Sequence, residues 1–309
     1  MLKRQRYVLD HEAIALVYLA LAMEKPLLIE GPPGAGKTEI AKVLAEGLEM
    51  PLIRLQCYEG VDESKALYQW NEPLQRMALE FLRRTLDGES TEPWRELKTR
   101  LYSPDFLVPG PILQALQSEQ SAVLLVDEVD KTDAAFEAFL LEVLSDFQVS
   151  IPPMGTVKPK HRPVVVLTSN AQRKLTDALR GRCFLLWADY PAPDREAAIL
   201  ALRAANGAWA SRDDRVQPAL VSRASGFTQA LRHLGMAKPP AIRESLDWMH
   251  ALELLGAREL DHDSVSLTLP VLLKVKGDID RARGNLPLLL KRASAAHENP
   301  RSESTPAIR

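Results

Sequence analysis

Gly31-Pro32-Pro33-Gly34-Ala35-Gly36-Lys37-Thr38 decides the reading of this chain. The stretch fits G-x-x-x-x-G-K-[ST], and its surroundings give the pattern weight. Before it lies Pro26-Leu27-Leu28-Ile29-Glu30, an apolar run that predicts a buried strand. After it, Ile40, Val43, Leu44 and Leu48 fall on one face of a predicted helix. A strand, a glycine-rich loop and a helix in that order make a phosphate site for physical reasons. The glycines let the backbone wrap close to phosphate oxygens with several N–H groups pointing inward. The helix opening near Lys37 adds the positive end of its dipole. In such a loop Gly31, Pro32, Pro33, Gly34, Ala35 and Gly36 form the backbone cradle, and Lys37 reaches the β- and γ-phosphates. The Thr38 hydroxyl binds Mg2+, and Glu39 follows in the first helical turn. A plain Gly/Pro-rich turn is the bland alternative, and the strand–loop–helix context argues against it. The expected ligand is a nucleoside triphosphate.

Outward from the loop, apolar runs predict strands at Leu27–Ile29, Leu52–Leu55, Val123–Val126, Val164–Leu167 and Phe184–Trp187, with helical patterns between them. Continuous apolar strands alternating with helices imply an α/β fold, a five-stranded parallel sheet flanked by helices. Residues 57–110 are long for one crossover. They hold helical pieces at Gln75–Leu86 and Trp94–Leu101, broken by Asp87-Gly88 and Ser103-Pro104. Residues 147–163 read Gln148-Val149-Ser150-Ile151, Pro152-Pro153-Met154-Gly155, Thr156-Val157, a hairpin signature. After Tyr190-Pro191-Ala192-Pro193 the strand signals stop and the pattern is helical. The expected organisation is an α/β nucleotide-binding domain over 1–190, a smaller all-helical domain over 191–296, and a polar tail over 297–309 with no apolar period, expected to be disordered.

Ala122-Val123-Leu124-Leu125-Val126-Asp127-Glu128 is a buried strand ending in two carboxylates. Beside a phosphate loop, Asp127 would hold Mg2+ directly or through water, and Glu128 would polarise an attacking water as general base. Alone, such a pair is as often a helix cap. Val164 to Leu167 runs into Thr168-Ser169-Asn170, and strand carboxyl ends face the ligand crevice in sheets of this kind. Asn170 is the favoured residue for orienting water or touching the γ-phosphate, with Thr168 and Ser169 as alternatives. Leu179-Arg180-Gly181-Arg182-Cys183 sets two always-charged guanidiniums just before the fifth strand. They are either solvated or available to a neighbouring subunit's γ-phosphate, Arg182 before Arg180.

Composition bounds the rest. Net charge is −2 over 309 residues, with 46% hydrophobic and 26% charged residues, so the basic footprint of a nucleic-acid binder is missing. Cys57 and Cys183 are the two cysteines, without metal-ligand spacing. A reducing, cytoplasmic setting is expected. Lys3, Arg4 and Arg6 before Ala13–Met23 imitate a signal peptide, but Asp10, His11 and Glu12 interrupt it, and the stretch is read as a first helix. No run reaches the length of a membrane span.

Taken together, these segments resemble an AAA+ ATPase of the MoxR group. Walker A corresponds to Gly31–Thr38, Walker B to Val123–Glu128, sensor 1 to Asn170, and the arginine finger to Arg182. Sensor 2 corresponds to Arg243 in Ala241-Ile242-Arg243-Glu244-Ser245, where an ordinary helix-start arginine is the alternative. Gln56 takes the place from which AAA+ proteins couple nucleotide state to Glu128. The 57–110 segment resembles the helix-2 insert region, and 147–163 the pre-sensor-1 insertion. Leu55-Gln56-Cys57-Tyr58-Glu59-Gly60, the run Phe139 to Val149 and Leu175-Thr176-Asp177-Ala178-Leu179 are similar to the CoxD-like branch, associated with maturing carbon monoxide dehydrogenase, a molybdenum–copper enzyme. The resemblance implies an ATP- and Mg2+-dependent P-loop NTPase with a helical lid, assembling as a hexameric ring and remodelling a protein client such as a molybdenum enzyme. It also implies a von Willebrand factor A domain partner, with no nucleic acid and no membrane span. Tyr68 and Trp70 would be pore-lining or, as the bland reading has it, core. A DNA-acting motor or clamp-loader-like ATPase is the alternative, and a P-loop small-molecule kinase a weaker one, since the carboxylate pair with Asn170 points to water as acceptor.

Overall fold

A computed structural model describes residues 11–85, 94–152, 154–205 and 218–298. The described residues divide into two compact units, one holding 11–31 and 37–188, the other holding 32–36 and the residues from 189 onward. The first unit runs α1 (His11–Ala22), β1 (Leu27–Glu30), α2 (Lys37–Leu48), β2 (Leu52–Gln56), α3 (Glu63–Ala66), β3 (Tyr68–Trp70), α4 (Glu72–Thr85) and α5 (Trp94–Leu101). It continues with β4 (Leu107–Pro109), α6 (Pro111–Gln117), β5 (Val123–Asp127), α7 (Ala134–Asp146), β6 (Val149–Ile151), β7 (Gly155–Val157), β8 (Val164–Ser169), α8 (Asp177–Arg182) and β9 (Phe184–Trp187).

The five expected strands form one parallel sheet in the order β2-β5-β8-β1-β9. Their sequences explain the order. β1 and β5 are buried at every position and β8 at all but Val164, as continuous apolar strands must be when helices cover both faces. β2 and β9, with exposed positions, take the edges. Leu28, Leu124, Val126 and Leu167 of the sheet pack with Leu113 of α6 and Leu140 of α7. Each such leucine stabilises the unit by about 1.5–3 kcal/mol relative to exposure. Asp133 caps α7, its carboxylate accepting from the Phe136 amide at 2.8 Å. The helix ends at Phe147, a left-handed residue (φ 49°) whose amide donates to the Val143 carbonyl. The Phe147 ring is buried, with the Arg162 guanidinium 4.3 Å from its centroid.

The insert region differs from a purely helical reading. α4 and α5 are present, but β3 before them and β4 after them form an antiparallel pair, Gln69 opposite Val108. Alternation explains it: Tyr68 and Trp70 turn to one face, half-buried against the core, and Trp70 meets Tyr102 edge-on at 5.0 Å. The expected break at Asp87-Gly88 lies outside the described residues. The hairpin is β6 paired antiparallel with β7.

The second unit holds α9 (Pro193–Ala205), α10 (Pro218–Arg232), α11 (Ile242–Leu254), α12 (His262–Leu272), α13 (Lys276–Gly284) and α14 (Leu286–Glu298), with no strand among the described residues. Its core gathers Phe227, Trp248, Leu269 and Leu289. Inside it Glu196 is fully buried and accepts from Arg232 Nη1 (2.7 Å) and Nη2 (2.9 Å), Ser245 Oγ (2.8 Å) and Gln229 Nε2 (2.9 Å). Of the expected tail over 297–309, His297 and Glu298 close α14, and the rest lies outside the described residues. Among the described residues no helix is long and apolar enough to cross a membrane.

Candidate functional site

The loop after β1 is built around glycine geometry. A Cβ on Gly31 would sit 1.8 Å from the Ala188 carbonyl oxygen, and Gly34 and Gly36 take φ of 77° and 87°. These are conformations and approaches that side chains disfavour. α2 begins at Lys37, directing its first amides back into the loop. The Lys37 ammonium is buried and donates to the Gly31 carbonyl at 2.9 Å. Burial lowers its pKa, and the carboxylates of Asp130, Asp127 and Glu128 partly offset that. Glu39, one turn out, pairs with Lys42 at 3.2 Å.

β5 delivers Asp127 and Glu128 at its carboxyl end. Asp127 is buried. Its Oδ1 accepts from Thr38 Oγ1 at 3.0 Å and from Thr168 Oγ1 at 2.5 Å. Thr168 Oγ1 in turn accepts from the Glu128 amide at 2.9 Å, which fixes the turn leaving the strand. Glu128 takes a left-handed backbone (φ 59°), uncommon without a glycine and a mark of over-determined, often functional positions. That twist swings its carboxylate away from Asp127 and toward two amides. Gln56 Nε2 donates to Oε2 at 3.0 Å, and Asn170 Nδ2 approaches Oε1 at 3.4 Å. Asn170 and Thr168 thus both reach the carboxylate pair. Ser169 instead accepts from the Ala171 amide and shapes the turn.

The two arginines of α8 separate clearly. Arg180 Nη1 donates to both oxygens of Glu30, at 2.8 and 2.7 Å, and Glu30 is buried at the end of β1. Arg182 is exposed, its Nε donating to Ser145 Oγ at 3.0 Å. Arg243 is exposed in the first turn of α11. Both thiols are pushed up to about 12, Cys57 by burial beside Asp127 and Glu128 and Cys183 by burial, so neither is a reactive thiolate at neutral pH.

Four contributors escape a reading of the sequence alone. Arg54 Nε and Nη2 donate to Asp127 Oδ2 at 3.0 and 2.5 Å, and Nη2 also donates to Gln56 Oε1. Lys131 pairs with Glu128 Oε2 at 2.5 Å, which raises the lysine's pKa. Buried Asp130 accepts from the Asn170 and Gln172 amides, both at 3.1 Å, and so holds the loop carrying Asn170. Glu30 anchors Arg180. Lys131, three residues after Glu128, carried a local signal; Arg54 takes its meaning from the strand paired beside it, β5.

Hydroxyl and carboxylate oxygens at 3.0 Å, Thr38 and Asp127, form a hard-oxygen donor set of the kind Mg2+ takes together with substrate phosphates and water. Among the described residues no cluster of three or more His, Cys, Asp or Glu side chains could hold a metal by itself.

The chain is similar to known proteins. The family described as "ATPase family associated with various cellular activities (AAA)" matches residues 27–186, more than half of the chain. The chaperone protein ClpB 2 of Parasynechococcus marenigrum is 29% identical over 180 residues, 54% of this chain and 17% of that protein. Protein CbbQ of Allochromatium vinosum is 33% identical over 69 residues, 20% of this chain and 93% of that protein. A solved structure of the Thermotoga maritima RuvB Holliday junction branch migration motor is 18% identical, covering 88% of this chain and 68% of its own, with a TM-score of 0.45. This chain spans less than a fifth of the length of ClpB 2 and of the Lon protease of Cytophaga hutchinsonii, 27% identical over 181 residues. With the phosphate loop and the carboxylate strand both inside the matched region, the chain belongs to the AAA family of ATPases.

Proposed function

We propose that the chain hydrolyses ATP, with Glu128 as the general base. The observation that carries this reading is the pair of amides, Gln56 and Asn170, aimed at the two oxygens of Glu128 beside the Thr38–Asp127 pair. Water is the acceptor best suited to such a carboxylate, poised at the strand end with a side-chain amide on either oxygen. The loop amides and Lys37 bind the triphosphate. Thr38 and Asp127 would hold Mg2+, which supplies charge neutralisation across the β- and γ-phosphate oxygens. Asn170 orients the water against Glu128, and Glu128 takes its proton at a carboxylate oxygen. Converting Glu128→Gln removes the base and keeps the hydrogen-bonding shape. ATP binding by the full chain is expected to persist while turnover falls about 10²–10⁴-fold, the usual weight of a general base. Wild-type turnover in that variant sinks the assignment.

Arg182 completes the site of a neighbouring copy in a ring, a hexamer by the MoxR resemblance. Its exposure supports this role, as does the engagement of Arg180 with Glu30 in its own chain. Arg182→Ala is expected to cut turnover on the order of 10³-fold, as arginine fingers do. Mixing it with Lys37→Ala subunits, each variant inactive alone, restores part of the activity if the finger acts in trans. No recovery at any mixing ratio argues for a single-chain site. The likeness to CbbQ, a MoxR-like AAA+ protein, and to a chaperone supports membership in the MoxR group and action on a protein client. A molybdenum–copper enzyme as that client, a von Willebrand factor A domain partner and Arg243 as sensor 2 complete the reading. Comparing stimulation of turnover by candidate protein clients and by DNA tests it: stimulation by DNA alone overturns the client assignment.

A further inference from the structure

The sheet has a second end. Its strand carboxyl ends carry the phosphate loop, Asp127 and Asn170, while at the amino ends of β1 and β8 lies a cavity of about 170 Å3. Leu27 and Val166, partners in the β1–β8 register, form its floor. Val17 and Ala20 of α1, Leu44 of α2 and the Phe147 ring wall it, and all of these side chains are buried. An apolar space of about 150 Å3 stays dry and admits a benzene ring, whereas drug-sized ligands need about 300 Å3 or more. This space therefore suits one compact apolar group.

The rim of the cavity is charged. Arg162 stands on it, fixed by three contacts. Its carbonyl accepts from Ser121 Oγ at 2.8 Å, its guanidinium lies 4.3 Å from the Phe147 centroid, and its Nη1 donates to Glu24 Oε2 at 3.1 Å. Lys25 is on the same rim, so two cations face one carboxylate and the mouth carries a positive excess. The hold of Glu24 is weak. The side chains of Arg162 and Glu24 are 45% and 63% exposed, and exposed ion pairs contribute little. An incoming carboxylate whose apolar body is buried at the same time can take that place at small cost. The guanidinium fork matches a carboxylate in shape as well as charge.

We propose that this cavity is a binding site for a small organic acid, a monocarboxylate with a compact apolar body of benzene's size. Its carboxylate takes Arg162 in place of Glu24, and its body fills the space over Leu27 and Val166. The site lies at the opposite strand ends from the phosphate loop and stands independently of the role given to Glu128.

Titration of the full chain with benzoate, followed by ligand-observed NMR, tests the proposal. Benzamide lacks the charge, and acetate lacks the body. Benzoate is expected to bind on the order of tenfold more tightly than either, the weight of a charge-assisted hydrogen bond or of a buried ring. Arg162→Gln should lose about tenfold of the benzoate affinity and leave benzamide unchanged. Glu24→Gln releases the arginine and should gain about threefold. Ala20→Leu fills the cavity and should abolish benzoate binding, while unchanged binding of an ATP analogue reports an intact fold. If that variant fails to fold, the exposed Arg162 and Glu24 variants still decide the question. Equal affinity for benzoate and benzamide, or for benzoate in wild type and Arg162→Gln, overturns the pairing of a carboxylate with Arg162. Benzoate binding that survives in folded Ala20→Leu, or that is missing from wild type at millimolar concentration, overturns the cavity as the site. An N-acetylated peptide ending in phenylalanine that binds more tightly than benzoate places a protein C-terminus there and overturns the small acid.

Discussion

Two buried carboxylates, Asp127 at the sheet's edge of strand ends and Glu196 inside the helical unit, are each bound by an arginine, and they are bound in opposite ways. Glu196 and Arg232 are both buried, the contact is bidentate, and Ser245 and Gln229 fill what remains. Arg232 spends its Nε on the Pro240 carbonyl, so every part of it is committed. Asp127 is as buried, but its arginine stands half in solvent. The same pair of side chains serves as a permanent fastening where both members are dry and as an exchangeable one where a single member is wet. Desolvation sets the difference, because a buried charge left without its partner is costly and a solvated one is not.

The largest effect on stability should follow from Arg232→Ala. It strands Glu196 with a full charge in a dry core, and the loss is expected to be about 3–5 kcal/mol. Thermal or denaturant melts measure it, and a loss under about 1 kcal/mol would place Glu196 among the exchangeable pairs. Arg180→Ala comes next. It removes both contacts to buried Glu30 but leaves a guanidinium-sized opening for water, so about 1–3 kcal/mol is expected. Adding Glu30→Gln to it should recover part of that loss, and a further loss would show that Glu30 is needed for something other than Arg180. The smallest effect belongs to the half-exposed partner: Lys131→Ala should change stability by less than about 1 kcal/mol. A larger change would make the strand-end cluster a structural fastening and erase the contrast.

The fold was legible because its determinants are local and apolar. Five short apolar runs such as Val123–Val126 read as strands, and the sheet contains all five. The phosphate loop was legible because glycine positions follow from backbone geometry. The β3–β4 pair was harder to see, being two three-residue strands far apart in sequence with Pro109 at the end of one. In the site, the members at strand ends could be found, because termination of an apolar run by Asp127, Glu128 or Asn170 is itself a signal. Arg54 could not, because it lies inside a run read as apolar and its meaning comes from pairing across the sheet, where Gln56 stands opposite Asp127. The preference for Arg182 over Arg180 could not be grounded in the sequence for the same reason: the partner that occupies Arg180, Glu30, is 150 residues away.

Gly31 has a mechanical consequence. Its missing side chain admits the Ala188 carbonyl, while the Ala188 amide donates to the Glu30 carbonyl at 2.7 Å. The peptide that opens the phosphate loop and the last residue of the sheet unit are thus clasped together, like the two leaves of a hinge pinned at one end. Residue 189 begins the rest of the chain. Any side chain at position 31 would force the ends of β1 and β9 apart, so the opening of the phosphate loop and the close packing of two neighbouring strands depend on one absent methyl group.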